Sequence, residues 1–594
     1  MFKYLSRVFT SLGLFKTAFR KYKKTILLLT GFGFLSGILG GIGIGAIVPL
    51  FSFVAKEGAA DDTITNIFKE TFQFFGIPFT LPLVIAVLIM LFAVKALFLY
   101  AANIVNAKAV ANYTMATRNE LFGGTMLAKW QYLLNRKVGY LTQIISEDID
   151  LSAGVLVSIS VFILFLTSFV SYAVIALTIS PYVTIVTIII GVVLSIFLKP
   201  ILFRIRKIME RETVLRKEVA HMINQHLIGA KTVKSMVAES SVIQLGKERF
   251  LELSQKKFNV LRYQSVMATF LEPITLAVVI PIFLFSYRDP FFNIASFAAV
   301  LYLIQKMFSF VQSMQFRLSA INEGIPHLQA VVSCQEEVRQ NLENSEGANS
   351  FKFNSAIKFE NVSFSYENEE KLFRGLDMTV KKGEMIGLIG QSGSGKTTIA
   401  DLLLRLFDPS AGVITVDGID ISRVNLYAWR SRIGYVSQDM FLLNDTIANN
   451  IRFYDEGISD KDIDEAAKLA HIYDFILQRP DGFNTIVGER GIKLSAGQRQ
   501  RIILARMLVR KPEILILDEA TSALDNESEV AIQGSFEDLR GRVTMLVIAH
   551  RLSTVMSSDM LVVLEGGKIV ERGKPKELLE NKNSHFYNIY NVKE

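Results

Sequence analysis

Met385 to Ile399 reads MIGLIGQSGSGKTTI, and the order of its chemistry governs how the rest of the chain is read. Met385 to Ile389 is an apolar run of strand length, GQSGSGKT follows from Gly390 to Thr397, and apolar residues then resume at helical spacing. A strand, a glycine-rich turn and a helix N-terminus in that order make a phosphate-binding P-loop. Gly390, Gly393 and Gly395 let the backbone turn tightly and bring bare N–H groups against phosphate oxygens, while the helix N-terminus adds the positive end of its dipole. Lys396 is placed to reach the β- and γ-phosphates and Thr397 to ligate Mg²⁺. Gln391, Ser392, Ser394 and Thr398 complete the expected nucleotide-binding set around the loop.

At 594 residues the chain is too long for one ordinary domain, so several units are expected. Its composition is 51% hydrophobic and its mean hydropathy is +0.35, more apolar than a soluble surface permits, which points to membrane spans. The net charge of +8 is then read as Lys and Arg crowding the cytoplasmic flanks and anionic lipid, not as a nucleic-acid footprint. The single cysteine, Cys334, rules out an intrachain disulfide and supplies no metal cluster.

Residues 1–25 are expected to form a basic amphipathic helix on the inner membrane surface, with Leu5, Val8, Phe9, Leu12, Phe15 and Phe19 on one face. The apolar stretch that follows, Ile26 to Ala55, is much longer than the core of a cleaved signal, so the N-terminal helix is expected to stay in the mature protein and the stretch to form a first span. Further apolar stretches at Leu81 to Ala107, Gly154 to Ser180, Pro181 to Leu202, Ala268 to Tyr287 and Phe291 to Ile321 each reach the ~20 residues a crossing needs. Residues 26–326 therefore read as an all-α, six-helix transmembrane domain with both ends on one side.

The segment 203–267 is rich in Lys and Arg whereas 56–80 holds only Lys56 and Lys69, which orients the basic side to the cytoplasm. The two inner connections are long and carry apolar residues at helical spacing, so the helices are expected to project ~30 Å beyond the bilayer. They should turn near Tyr132 to Leu141 and near Lys231 to Ser241, each turn a contact for a cytoplasmic domain. Gly33, Gly37, Gly41 and Gly45 recur at four-residue spacing and predict close helix packing. Lys95, Glu272 and Lys306 fall inside apolar spans and mark a polar cavity or an interhelical pair, with snorkelling to the interface the alternative for Lys95 and Lys306. Residues 327–354 read as a polar linker, and 355–594 as an α/β P-loop ATPase domain.

Within that domain Ile514 to Glu519, ILILDE, is an apolar strand ending in two carboxylates at the edge where α/β sheets bind ligands. Asp518 suits a Mg²⁺ position and Glu519 a general base for the attacking water. Between the P-loop and this strand lies LSAGQ, Leu494 to Gln498, followed by RQR, and with it the chain resembles the ATP-binding-cassette superfamily over essentially its whole length, in the order of exporter half-transporters.

That resemblance implies that Ser495, Gly497 and Gln498 close over a nucleotide held by the P-loop of a second chain, with Ala496 standing where the family usually has Gly. It implies that Tyr366 stacks on adenine, that Gln438 reaches Mg²⁺ and the attacking water, and that His550 is the switch histidine at the γ-phosphate. Glu489 resembles an exporter loop near the intracellular helices and Asp525 a loop across the dimer interface.

The expectations that follow are ATP and Mg²⁺ as cofactors, a homodimer in the cytoplasmic membrane, and ATP-driven export or flipping of an amphipathic, lipid or lipid-linked substrate by alternating access. A heterodimer with another chain stays open as a pairing. A multidrug or peptide exporter is the alternative within the class, and an ATP-gated channel or regulator the alternative outside it.

Overall fold

The computed structural model describes residues 13–54, 63–136, 138–179, 181–287, 294–347, 352–366, 371–519, 526–549 and 551–591. The chain divides into two compact units, one comprising Met1–Leu127 with Arg136–Asn341, the other Ala128–Asn135 with Leu342–Glu594.

The first unit is helical. Its long elements are α1 (Lys23–Gly45), α2 (Leu81–Met126), α3 (Ile149–Ile179), α4 (Pro181–Ile228), α5 (Glu239–Ser286) and α6 (Ile294–Gln340). Four described segments, Arg20–Leu50, Leu81–Met126, Gly139–Thr178 and Phe297–Gln340, are long and apolar enough to cross a membrane. The stretches expected to cross at 181–202 and 268–287 fall on α4 and on the end of α5, whereas the outer turns at Ser180 and at 288–290 lie outside the described residues. At 46 to 48 residues, α2, α4, α5 and α6 each run ~70 Å, more than twice the ~30 Å hydrocarbon core. Their polar halves are therefore continuous with their apolar halves, as the helical spacing predicts. A buried pair, His327 Nδ1 and Asp148 Oδ1 at 2.7 Å, ties α6 to the π-helical turn Ile144–Asp148 that leads into α3.

Close packing along α1 follows its small residues. A Cβ on Gly33 would meet Thr167 Oγ1 at 2.6 Å, one on Gly37 would meet Ser171 Oγ at 2.8 Å and Ser168 Cα at 3.0 Å, and one on Gly41 would meet Ile175 Cδ1 at 2.2 Å, all on α3. Gly45 departs from the expectation, having nothing within 4 Å of such an atom. The N-terminal helix also differs from a purely lipid-facing one. In its described part Phe19 is buried 5.4 Å from the ring of Tyr113 in α2, and Phe15 packs on the same cluster with Leu156 of α3 and Leu328 of α6. At Phe15 and Phe19 protein surface thus takes positions that the sequence alone would assign to acyl chains, because helix amphipathicity does not distinguish a lipid from a protein neighbour; Leu5, Val8, Phe9 and Leu12 lie outside the described residues.

The second unit is α/β. A four-stranded antiparallel sheet has the order β2-β1-β4-β5, with β1 Ala356–Phe364, β2 Phe373–Lys381, β4 Ala411–Val416 and β5 Ile419–Asp420. A six-stranded sheet has the order β10-β9-β3-β8-β7-β6, with β3 Met385–Gly390, β6 Ile433–Val436, β7 Ile514–Asp518, β8 Thr544–Ile548, β9 Met560–Glu565 and β10 Lys568–Gly573. Strands β9, β3, β8, β7 and β6 pair in parallel, so both faces are covered and the strands are apolar throughout.

Alternation divides them between two cores. Ile386 and Leu388, Ile514 and Ile516, and Leu546 and Ile548 face the core shared with β1, β2 and helix α7 (Lys396–Leu403). Met385 and Ile389, Leu515 and Leu517, and Met545 and Val547 face the core built with α8 (Ala496–Leu508) and α9 (Asn526–Leu539).

We expect Gly37→Leu to destabilise the helical unit by ~1–3 kcal/mol through overpacking against Ser168 and Ser171, while Gly45→Leu leaves it unchanged. Thermal unfolding of the two variants in detergent checks this, and equal melting temperatures would refute the packing assignment.

Candidate functional site

Strand β3 ends at Gly390, φ 153°, and the loop reaches α7 through Gly393 at φ 82° and Gly395 at φ 100°. Gly395 is the N-cap of α7, and a Cβ there would sit 2.6 Å from two atoms of the Phe373 ring, so a side chain is excluded by both conformation and space. The loop amides and the first turn of α7 therefore gather N–H groups at one helix end, an arrangement suited to an anion. Lys396 is 7% exposed, and its Nζ donates to the carbonyls of Gly390 and Gln391, each at 2.9 Å. The ammonium is thus held inside the loop curve, within reach of a phosphate lying there.

Asp518 ends β7 at 3% exposure and Thr397 of α7 hydrogen-bonds to it. Burial pushes the Asp518 carboxyl up; the hydrogen bond from Thr397 and the charge of Lys396 act in the opposite sense, and Glu519 adds to the rise. Hydroxyl and carboxylate at one point form a hard-oxygen pair that could hold Mg²⁺. Glu519 follows at φ 51°, a strained left-handed conformation, with its N–H donating to Ile548 O at 2.9 Å and its Oε2 accepting from Gln438 Nε2 at 2.9 Å. Tyr366 donates or accepts at Thr398 Oγ1, 2.9 Å away, and packs edge-on against Phe364 and Phe407, placing an aromatic ring beside α7.

The structure therefore brings together Tyr366, the loop 390–398, Gln438, Asp518 and Glu519. Ser495, Gly497 and Gln498 lie at the N-terminal end of α8, the helix whose apolar face packs in the other core. Ser495 caps that helix in a capping box: Ser495 Oγ accepts from Gln498 N at 3.2 Å and Gln498 Oε1 accepts from Ser495 N at 2.9 Å. The Gln498 side chain is thus used within its own cap. His550 and Asp525 lie outside the described residues, and Glu489 sits in a short 3₁₀ turn, Glu489–Gly491, that continues to Arg490 at φ 52°.

Two family models match the chain, the ABC transporter transmembrane region over residues 26–314 and the ABC transporter domain over 373–522. An uncharacterized ABC transporter ATP-binding protein of Sinorhizobium fredii is 31% identical across 91% of this chain and 92% of its own length. The chain belongs to the ABC transporters. An ATP-dependent lipid A-core flippase of Alkalilimnicola ehrlichii is 34% identical over 79% of the transporter and 78% of its own length. A solved bacterial Atm1-family ABC exporter with ATP bound superimposes with a TM-score of 0.72 at 25% identity, covering 97% of the transporter and 98% of that chain. The transporter is accordingly an exporter-type half-transporter whose cassette binds ATP and hydrolyses it to drive transport.

Some residues at the site escape sequence reading. Tyr435 on β6 directs its hydroxyl to Asp518 Oδ2 at 3.4 Å, and burial together with the Asp518 charge pushes that phenol up. Asp401, one turn after Thr397 in α7, is pushed up to about 6 by burial and then by Asp518. A tyrosine in an apolar strand and an aspartate on a helix read as ordinary packing and solvation, and no local spacing joins them to Asp518.

Arg506 of α8 is buried; burial pulls its guanidinium down to about 10. It donates to Asn450 O at 2.7 Å and Phe441 O at 2.8 Å, joining α8 to the segment that follows Gln438.

In the helical unit Lys95 and Lys306 are brought into one electrostatic group with Tyr172 and Tyr302. Lys95 Nζ donates to Tyr172 Oη at 3.1 Å and lies 5.5 Å from the Phe92 ring centroid, while Lys306 Nζ lies 5.5 Å from that of Tyr302. Gly40 of α1 admits them: a Cβ there would fall 2.4 Å from Tyr172 Oη and 2.7 Å from Lys95 Nζ. The side chain of Glu272 lies outside the described set.

Replacing Lys396 by Ala removes a charge-assisted contact worth ~1.5–3 kcal/mol, and so should weaken ATP binding ~10- to 100-fold. Titration of the purified transporter with a fluorescent ATP analogue measures this, and unchanged affinity would contradict the loop geometry.

Proposed function

We propose that the transporter flips or exports an anionic amphiphile, a lipid or lipid-linked molecule, across the cytoplasmic membrane by alternating access, acting as a homodimer with its cassettes in the cytoplasm. The observation that carries the substrate reading is the pair Lys95 and Lys306 beside Tyr172 and Tyr302, set among apolar helices. An ammonium in such surroundings is costly unless it meets a counter-charge, and a headgroup phosphate or carboxylate on an apolar tail satisfies both the charge and its setting. The likeness to a lipid A-core flippase supports a lipid.

In the nucleotide site the backbone of 390–398 and Lys396 bind the phosphates, Tyr366 meets the base, and Glu519 takes the proton of the attacking water while Gln438 holds that carboxylate in place. Thr397, Asp518 and Gln438 would hold Mg²⁺, whose charge offsets that of the phosphates. Ser495 and Gly497, at the N-terminal end of α8, complete the site on a second copy, where the helix N-terminus meets the γ-phosphate with His550. The exposed apolar tip formed by Leu227 and Ile228 at the end of α4, with Met236 and Val237 before α5, supports docking on that copy. ATP binding then draws the cassettes together, and hydrolysis resets them.

Glu519→Gln should lower the ATPase rate ~10²- to 10⁴-fold, the usual worth of a general base, while permitting ATP-bound closure. Near-normal turnover in that variant would sink the assignment, and mass spectrometry of molecules co-purifying with it identifies the cargo. ATP-dependent, uphill movement of an anionic phospholipid in vesicles separates a pump from a gated channel. Lys95→Ala with Lys306→Ala should weaken stimulation of ATPase by an anionic lipid ~10- to 100-fold; equal stimulation in both proteins would remove the lysines from the substrate site.

A further inference from the structure

The chain leaving α6 does not cross to the cassette as a slack tether. Leu342 forms an antiparallel bridge with Ala128 in the short intracellular segment that belongs to the second unit. Glu343 then receives Arg430 in a two-pronged ion pair, Nη1 to Oε2 and Nη2 to Oε1, both at 2.8 Å, with the side chains 29% and 20% exposed. Ser345 O accepts from Asn425 Nδ2 at 2.5 Å, and Gly347 lies so close to the backbone of Arg423 to Asn425 that a Cβ there would fall 2.6 Å from Arg423 O.

The second half of the arrangement lies on the other side of Arg430. Its Nε donates to Leu404 O at 2.9 Å and its Nη2 to Arg405 O at 2.9 Å. Those carbonyls end α7, the helix whose first turn forms the phosphate site. Arg405, at φ 54°, is itself clasped, donating from Nη1 to Val424 O at 2.7 Å. Arg430 also ends the short helix Leu426–Arg430 that leads into β6 and on to Gln438. One guanidinium thus touches the linker, the far end of the P-loop helix and the start of the strand that delivers Gln438. An exposed ion pair would be worth little and would hold nothing. This one is bidentate, mostly buried, and backed by two further donations from Nε and Nη2 to backbone carbonyls, which makes it a rigid joint.

We propose that the Glu343–Arg430 joint is a strap that couples the position of α6 to the nucleotide site, with Arg430 as a positioning residue acting on α7 and on Gln438. When the membrane helices change state the linker carries the displacement to the end of α7, and ATP binding at the start of α7 is carried back along the same path. The strap is intrachain and covalently continuous with α6, and so acts beside any docking of intracellular turns on a cassette.

The test uses the full-length transporter in nanodiscs of phosphatidylethanolamine and phosphatidylglycerol. Spin labels are placed through Gly31→Cys in a Cys334→Ala background, and the distance between copies is read with and without ATP and Mg²⁺. In Glu343→Ala, Arg430 keeps its carbonyl contacts, so the ATPase rate is expected to stay within about twofold of the parent. The population shifted by ATP is expected to fall at least about fivefold, a loss in the usual range of coupling between sites.

Glu343→Gln, which keeps the shape and loses the charge, should fall between the two. A full ATP-driven shift in Glu343→Ala would overturn the strap, as would parallel loss of ATPase and shift in both variants, the signature of a merely structural role. Absence of any ATP-driven shift in the parent would overturn alternating access and the strap with it.

Discussion

Parallel pairing buried on both faces is the constraint on which the cassette depends. Because β9, β3, β8, β7 and β6 run in the same direction, every strand needs a crossover and each face of the sheet needs a cover, and alternating side chains feed two separate cores. The same direction brings the C-terminal ends of β3 and β7 to one edge. Gly390 and Asp518 therefore end on the same edge, with β8 between their strands. The loop amides and the Asp518 carboxylate sit at that strand edge, and α7 and α8 pack on opposite faces of the sheet, one in each core.

Much of this was legible in the sequence because it is local. A five-residue apolar strand before GQSGSGKT, or another ending in Asp518-Glu519, carries its own explanation in residue spacing. The LSAGQ stretch was legible only through its family resemblance, and the capping box between Ser495 and Gln498 emerged from the structure. The long helices were legible from apolar residues recurring at helical spacing beyond the spans.

What escaped was whatever depends on contacts between distant segments. Tyr435 beside Asp518 and Arg430 between Glu343 and Leu404 bring together residues tens of positions apart, and no periodicity records which meet. Glycine spacing in α1 pointed to the right face but to the wrong last member: a Cβ on Gly45 would meet nothing within 4 Å, and Gly40, off the four-residue repeat, makes the close approach to Tyr172 and Lys95. The N-terminal helix shows the same limit, because Phe19 is apolar towards whatever covers it, and the structure supplies Tyr113.

The cap on α8 has a consequence for how two such surfaces recognise each other. Ser495 and Gln498 hold one another's backbone N–H groups, so the rotamers of both side chains are already chosen before anything approaches. Ordering a free polar side chain at an interface ordinarily costs ~0.5–1.5 kcal/mol in lost rotamer freedom. Here that loss is incurred during folding. If that helix end meets an anion, as proposed, it does so as a rigid, prealigned dipole, and the temperature dependence of such an encounter should reflect water leaving the surfaces more than side chains being ordered upon them.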